Sequence, residues 1–277
     1  MANWSNLNFM QSLQLFFNNV LIWPILNLLM LFYKIFELVK IPGAFGLAII
    51  ALTALVRTIT LPLTSAQLKS AQKMQALKPK IDALSAKFKN DKVKLQQAQL
   101  ELYKEAGVNP AAGCLPALVQ LPVFIALYNV FIHALNVGGG IGAIADVNKV
   151  LYHPFLHAQK IDLWFFGVNL ATKPSEWQKL GLGLLLVPLI TGGLQYLQTK
   201  LMTSAQPKAI EKLEKIKEKA EPDQMASMQK QMGLIMPVMI GFFAYSFPLG
   251  LALYWNIFTL FGIMQQLQIN KQAYGKR

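Results

Sequence analysis

Apolar residues in this chain come in runs long enough to cross a lipid bilayer, and nothing else in the sequence constrains the fold more. A helix needs about 20 predominantly apolar residues to span the hydrocarbon. Residues 46–63 (GLAIIALTALVRTITLPL) form one such run, and residues 115–134 and 180–197 form two more. A further stretch, 234–267, is too long for one helix and is interrupted at Phe247-Pro248-Leu249-Gly250. Proline and glycine there predict a tight turn between two spans. The predicted fold class is all-α, a polytopic membrane helix bundle with five transmembrane helices. Residues 13–39 are also apolar, but Asn18, Asn19, Asn27, Lys34 and Glu37 dilute them. Asn27, Lys34 and Glu37 lie near one helical face and Leu26, Leu29, Tyr33 and Phe36 on the other. That pattern reads as an N-terminal amphipathic helix lying in the interface; a sixth span is the alternative.

Composition removes other classes. Of 277 residues 54% are hydrophobic and 14% charged, with a formal net charge of +13. So apolar a chain is not disordered, and a single cysteine, Cys114, has no partner for a disulfide. A nucleic-acid binder can reach this charge, but not with apolar residues in such long runs, so DNA is not an expected partner. The first twenty residues hold no Lys or Arg, and no signal peptide is expected.

The placement of charge orients the bundle. Residues 65–113 carry nine Lys against four acids, and residues 200–232 seven Lys against five. With Lys271, Lys276 and Arg277 these segments hold 19 of the 26 basic residues, whereas the 135–177 loop is balanced. The positive-inside rule makes the Lys-rich segments cytoplasmic. The predicted order is an extracytoplasmic tail and interfacial helix (1–44), a first span (45–64), and a cytoplasmic Lys-rich helical hairpin (65–113). A second span (114–134), an extracytoplasmic loop (135–177), a third span (178–199) and a cytoplasmic loop (200–232) follow. Two last spans (233–247 and 249–268) and a cytoplasmic tail (269–277) complete it. The N-terminus is then outside and the C-terminus cytoplasmic.

In the hairpin, Leu77, Ile81, Leu84 and Phe88 recur at helical spacing, and Leu95, Ala98 and Leu102 answer from the second arm. Its lysines read either as a solvated face beside anionic lipid or as a docking surface for ribosomal RNA or a targeting factor. Residues 210–221 form a short amphipathic helix between Pro207 and Pro222. Met225, Met228, Met232, Met236 and Met239 follow at helical steps, either as ordinary packing or as an adaptable apolar surface.

Arg57 is the most informative residue. It is eleven residues from Gly46 and twelve from Lys69, about 16–18 Å from either end of its helix at 1.5 Å per residue. An arginine at mid-bilayer costs at least about 2.5–3.5 kcal/mol and faces a polar cavity or a partner. No Asp or Glu lies in any of the five predicted spans, so water is the expected compensation. Thr53, Arg57, Thr60 and Thr64 fall on one face at i, i+4, i+7 and i+11. Gln120, then Thr191, Gln195 and Gln198, then Asn256 and Thr259 add polar groups from the other runs. They either converge on a hydrated groove or bond neighbouring helices.

Three segments, ALVRTITLPLTSAQLKSAQKMQALKPKI, YKEAGVNPAAGCLPALVQLPVFIALYNVF and FPLGLALYWNIFTLFGIMQQ, resemble the YidC/Oxa family of membrane-protein insertases. The resemblance spans roughly residues 45–267, in the family's order and spacing. It implies a bacterial-type five-helix core without the large extracytoplasmic domain, in the cytoplasmic (plasma) membrane. It also implies a positively charged groove open to cytoplasm and lipid. Arg57 would be the groove arginine, Thr53 and Tyr254 substrate-contacting positions, and Gln120 the groove amide of the second span; Thr60 and Asn256 complete the candidate set. Where some members have Trp near the end of the fourth span this chain has Ser246, so that contact is not assigned.

The implied activity is insertion: short hydrophilic segments of nascent membrane proteins pass through the groove, and their apolar helices leave sideways into lipid. No bond is made or broken, so the chain is expected not to be an enzyme and to need no cofactor or metal. Nascent membrane proteins and the bilayer are the expected partners, with the ribosome, the signal recognition particle pathway and the Sec translocon as further candidates. A small-anion transporter using Arg57 as its binding charge is the main rival; it predicts internal repeats, and none is seen. An intramembrane enzyme is a third reading, but Cys114 has no His beside it, and His153 and His157 lack an obvious third ligand.

Overall fold

The computed structural model describes residues 11–12, 14–89, 91–107, 115–129, 141–203 and 224–274. They are mostly helical, with one two-stranded hairpin. Among the described residues, three helices are long and apolar enough to cross a membrane: Gln14–Leu38, Ala44–Met74 and Leu182–Met202. The first of these is the segment whose sequence reads as interfacial, so by length and composition it also qualifies as a span. Cys114, the 210–221 helix and the Asn109–Cys114 part of the resemblance lie outside the described residues. The chain falls into two compact units, residues 1–56, 117–188 and 243–257, and residues 57–116, 189–242 and 258–277.

The first unit has an apolar core. Helix α1 (Gln14–Leu38) contains a π-helical turn at Asn18–Ile22. It buries Ile22, Leu26, Leu29, Met30 and Tyr33, a stripe with the 3.6-residue period. Asn27 lies on the buried side too, not on the solvated face the sequence assigns it. Its amide donates to the Val150 carbonyl (3.1 Å) and accepts from the Tyr152 N–H (2.7 Å), so it bridges α1 to a distant loop. A buried polar group satisfied at both ends costs little. Helix α2 (Ala44–Ala76) adds Phe45, Ala48, Ile49 and Leu52 to the core. Helix α5 (Leu115–Asn129) brings Phe124 and Tyr128 into an aromatic cluster with Phe243, Phe247 and Trp255, centroids about 6 Å apart.

Residues 141–177 hold more regular structure than their sequence announces. They include helix α6 (Ile141–Lys149) and the hairpin of β1 (Trp164–Phe165) and β2 (Val168–Asn169). His153 accepts from the Phe155 N–H at Nδ1 (3.1 Å) and caps a 3₁₀ turn at Pro154–Leu156. Among the described residues no group of three or more His, Cys, Asp or Glu could hold a metal ion.

The second unit takes over α2 from Arg57 onward. The helix runs through Pro62 to Ala76, twelve residues past the expected end of the first span. It breaks at Leu77 because Pro79 has no N–H to return to the previous turn. Helices α3 (Lys78–Lys87) and α4 (Lys92–Glu105) follow and pack against each other. All seven apolar positions named above are half-buried. Asp91 caps α4 by accepting from the Lys94 N–H at 3.0 Å. Helix α7 (Leu186–Thr203) is preceded by a 3₁₀ turn. Helix α8 (Gln224–Ser246) begins nine residues ahead of the expected fourth span, and α9 (Leu249–Tyr274) starts just after Pro248.

Candidate functional site

The buried polar residues separate by unit. Among the described residues, Asn27 and Thr53 belong to the first, whereas Arg57, Gln67, Gln99, Thr191, Thr259, Gln265 and Gln266 all belong to the second. Among the described residues, the buried interior of the second unit is therefore far more polar than that of the first.

Arg57 is 6% exposed, on α2. Its Nη2 donates to the backbone carbonyl of Phe258, and its guanidinium carbon lies 3.4 Å from the centroid of the Phe258 ring. One residue of α9 thus presents two kinds of electron density to the cation, a carbonyl dipole and an aromatic face. Gly262, one turn further along α9, makes this approach possible. In a helix the Cβ of residue i+4 leans back toward the carbonyl of residue i. A Cβ at 262 would stand 3.0 Å from Arg57 Nη2 and would collide with the Gln198 amide nitrogen. The glycine therefore opens the Phe258 carbonyl to Arg57 and brings Gln198 of α7 to the same spot.

Beyond Arg57 the polar stripe of α2 continues into a ladder. Thr60 and Thr64 hydroxyls bond carbonyls of their own helix, Thr60 to Arg57 (3.4 Å) and Thr64 to Thr60 (3.1 Å). Gln265 of α9 donates to Thr64 Oγ1 and Ser65 Oγ at 2.8 Å each. Asn270 Oδ1 accepts from Gln72 (2.7 Å) and Gln266 (2.8 Å), while its own amide donates to the Leu201 carbonyl of α7 (3.4 Å).

The expected site residues divide between the units. Arg57 and Thr60 belong to the second; Thr53, Gln120, Tyr254 and Asn256 belong to the first. Thr53 and Tyr254 are each 1% exposed, and the Thr53 hydroxyl donates to the Ile49 carbonyl at 2.6 Å. Asn256 is half-buried, and its Oδ1 has no hydrogen-bond partner among the described residues. Gln120 falls in α5, with its side chain outside what the structure describes. Phe258 and Gly262 are absent from the sequence-derived set. The available signal was a lone glycine inside an apolar helix, four residues after an aromatic.

Residues 37–276 match the protein family described as 60Kd inner membrane protein. The membrane protein insertase YidC of Oceanobacillus iheyensis is 34% identical over 237 residues, covering 84% of this chain and 77% of that protein. The membrane protein insertase YidC of Thiobacillus denitrificans is 33% identical over 247 residues, with 88% of this chain and 36% of the relative covered. ALBINO3-like protein 1, chloroplastic, of Arabidopsis thaliana is 33% identical over 244 residues, with 86% and 45% covered. A solved structure, an active YidC insertase with its first transmembrane domain resolved, aligns with a TM-score of 0.49 at 31% identity, over 89% of this chain and 45% of the other. The chain thus spans about three quarters of one relative and less than half of the other two. It is a multi-pass membrane protein that belongs to the YidC/Oxa family of membrane protein insertases.

Proposed function

We propose that the chain moves short hydrophilic segments of nascent membrane proteins through a positively charged, hydrated groove and releases their transmembrane helices into lipid. Unsatisfied polar groups cost several kcal/mol each in hydrocarbon, and water reaching mid-membrane shortens the barrier such a segment must cross. Arg57 supplies the attraction for acidic residues in the passing tail. Thr53, Thr60, Gln120, Tyr254 and Asn256 are the proposed contact positions. In this reading five spans carry the bundle, the segment at residues 14–38 lies on the outer surface, and the Lys-rich hairpin and C-terminus are cytoplasmic.

The observation that supports the reading is a buried arginine half-way along an apolar helix, with a backbone carbonyl and an aromatic ring of another helix against its guanidinium. In cells depleted of their own insertase, Arg57→Lys is expected to restore insertion of an acidic-tailed substrate and Arg57→Ala to lose it. Equal insertion by the alanine variant would remove Arg57 from the mechanism.

A further inference from the structure

The proposed function leaves the β1–β2 hairpin unused. The chain reverses there at Phe166-Gly167, with Phe165 paired to Val168, and both turn residues have left-handed backbone, φ +45° and +84°. Two-residue turns of this kind favour Asn or Asp followed by Gly, which tolerate that conformation; a phenylalanine does not. Strained residues persist where the surroundings or a function demand them. The fold makes little use of this one. The Phe166 ring meets the edge of the Phe165 ring, 4.7 Å between centroids, yet Phe166 is 87% exposed. Trp164, 58% exposed, stands beside it, and Tyr152 and Phe155 are exposed in the same loop.

The hairpin is also pinned at a definite depth. Phe165 packs where a Cβ on Gly43 or Gly46 would be, at the first turn of α2. The Leu249 and Gly250 N–H groups, at the start of α9, donate to the carbonyls of Thr172 (2.8 Å) and Leu170 (2.9 Å). The Asp162 N–H donates to the Tyr33 hydroxyl of α1 at 3.2 Å. The first turn of α2 is also where the candidate span Ala44–Met74 begins. The end of a membrane helix marks the boundary between hydrocarbon and headgroups, the depth at which Trp and Tyr concentrate.

We infer that the 164–169 hairpin is a lipid-binding finger, whose Trp164 and Phe166 enter the headgroup–acyl boundary of the leaflet at the N-terminal end of α2. It rests on α2 being a membrane span, and the test separates the two. In a Cys114→Ala background, a polarity-sensitive fluorophore is attached to Phe166→Cys and the protein reconstituted into phosphatidylethanolamine–phosphatidylglycerol vesicles. The expected result is blue-shifted emission, quenched by lipid spin-labelled near the headgroup and insensitive to aqueous iodide. Iodide quenching overturns the finger, since water then covers it. Protection from iodide without quenching by lipid overturns it as well, because protein then covers the site. The same probe at Ile59→Cys, an exposed position mid-way along α2, should be quenched by lipid labelled deep in the acyl chain. Failure there overturns the span and the finger together. Phe166→Asn is expected to leave the melting temperature in detergent unchanged or raised; a marked loss would assign the ring to the fold instead.

Discussion

At the scale of single residues, Arg57 is defined by its surroundings as well as by its charge. The residue was legible in the sequence as a cation with nothing acidic nearby. Its holders were not, because Phe258 is 201 positions away and contributes a backbone carbonyl, which no side-chain pattern encodes. Gly262→Ala puts a methyl group into the space used by Arg57 and Gln198. Insertion of acidic-tailed substrates is expected to fall while neutral-tailed ones are spared, read in the same depletion strain. Asn27 misled in the opposite direction. An asparagine near Lys34 and Glu37 on a helical wheel looks solvated, yet here it is a bridge. Asn27→Leu leaves the Tyr152 N–H and Val150 carbonyl without their partner. A loss of about 1–3 kcal/mol follows from the unsatisfied groups, measurable as a lower melting temperature in mild detergent.

Among the elements, the Lys-rich hairpin was the most readable, because its apolar spacing, its Pro79 and its Asp91 cap are all local signals. The Asp91 carboxyl is held below the usual carboxylate range, first by the Lys94 backbone N–H and then by the Lys94 side chain. A lowered folded value means the cap contributes fully above the unfolded carboxylate pKa, about 3.9, and is lost as pH falls through the folded value. Helicity is therefore expected to drop only as pH falls below about 4 in the parent and to change less in Asp91→Ala, followed by circular dichroism. The β1–β2 hairpin, by contrast, was invisible to pattern reading. Its turn is Phe-Gly rather than Asn-Gly, and its strands are two residues each, too short for an alternation to register.

Over the whole molecule, charge and hydropathy separate two questions. Apolar runs coincide with helices among the described residues, but the helix ends follow other signals: α2 breaks at Leu77, ahead of Pro79, and α8 begins nine residues before the expected span. Hydropathy could not say that one compact unit buries hydrocarbon and the other buries amides and hydroxyls, since that division depends on which faces meet. The lysine distribution fixes an expected orientation, checked by impermeant thiol labelling of spheroplasts in the Cys114→Ala background. Gln159→Cys should react from outside and Lys89→Cys only after lysis.

The polar interior of the second unit has one more consequence. Helices packed by leucines resist a polar intruder, because every amide it brings is left unsatisfied. Helices joined by a chain of amides and hydroxyls offer barter instead. In the proposed insertion, a peptide entering beside Gln265 or Asn270 would replace each hydrogen bond that it breaks with one of its own, so such a wall would open for a guest at small net cost.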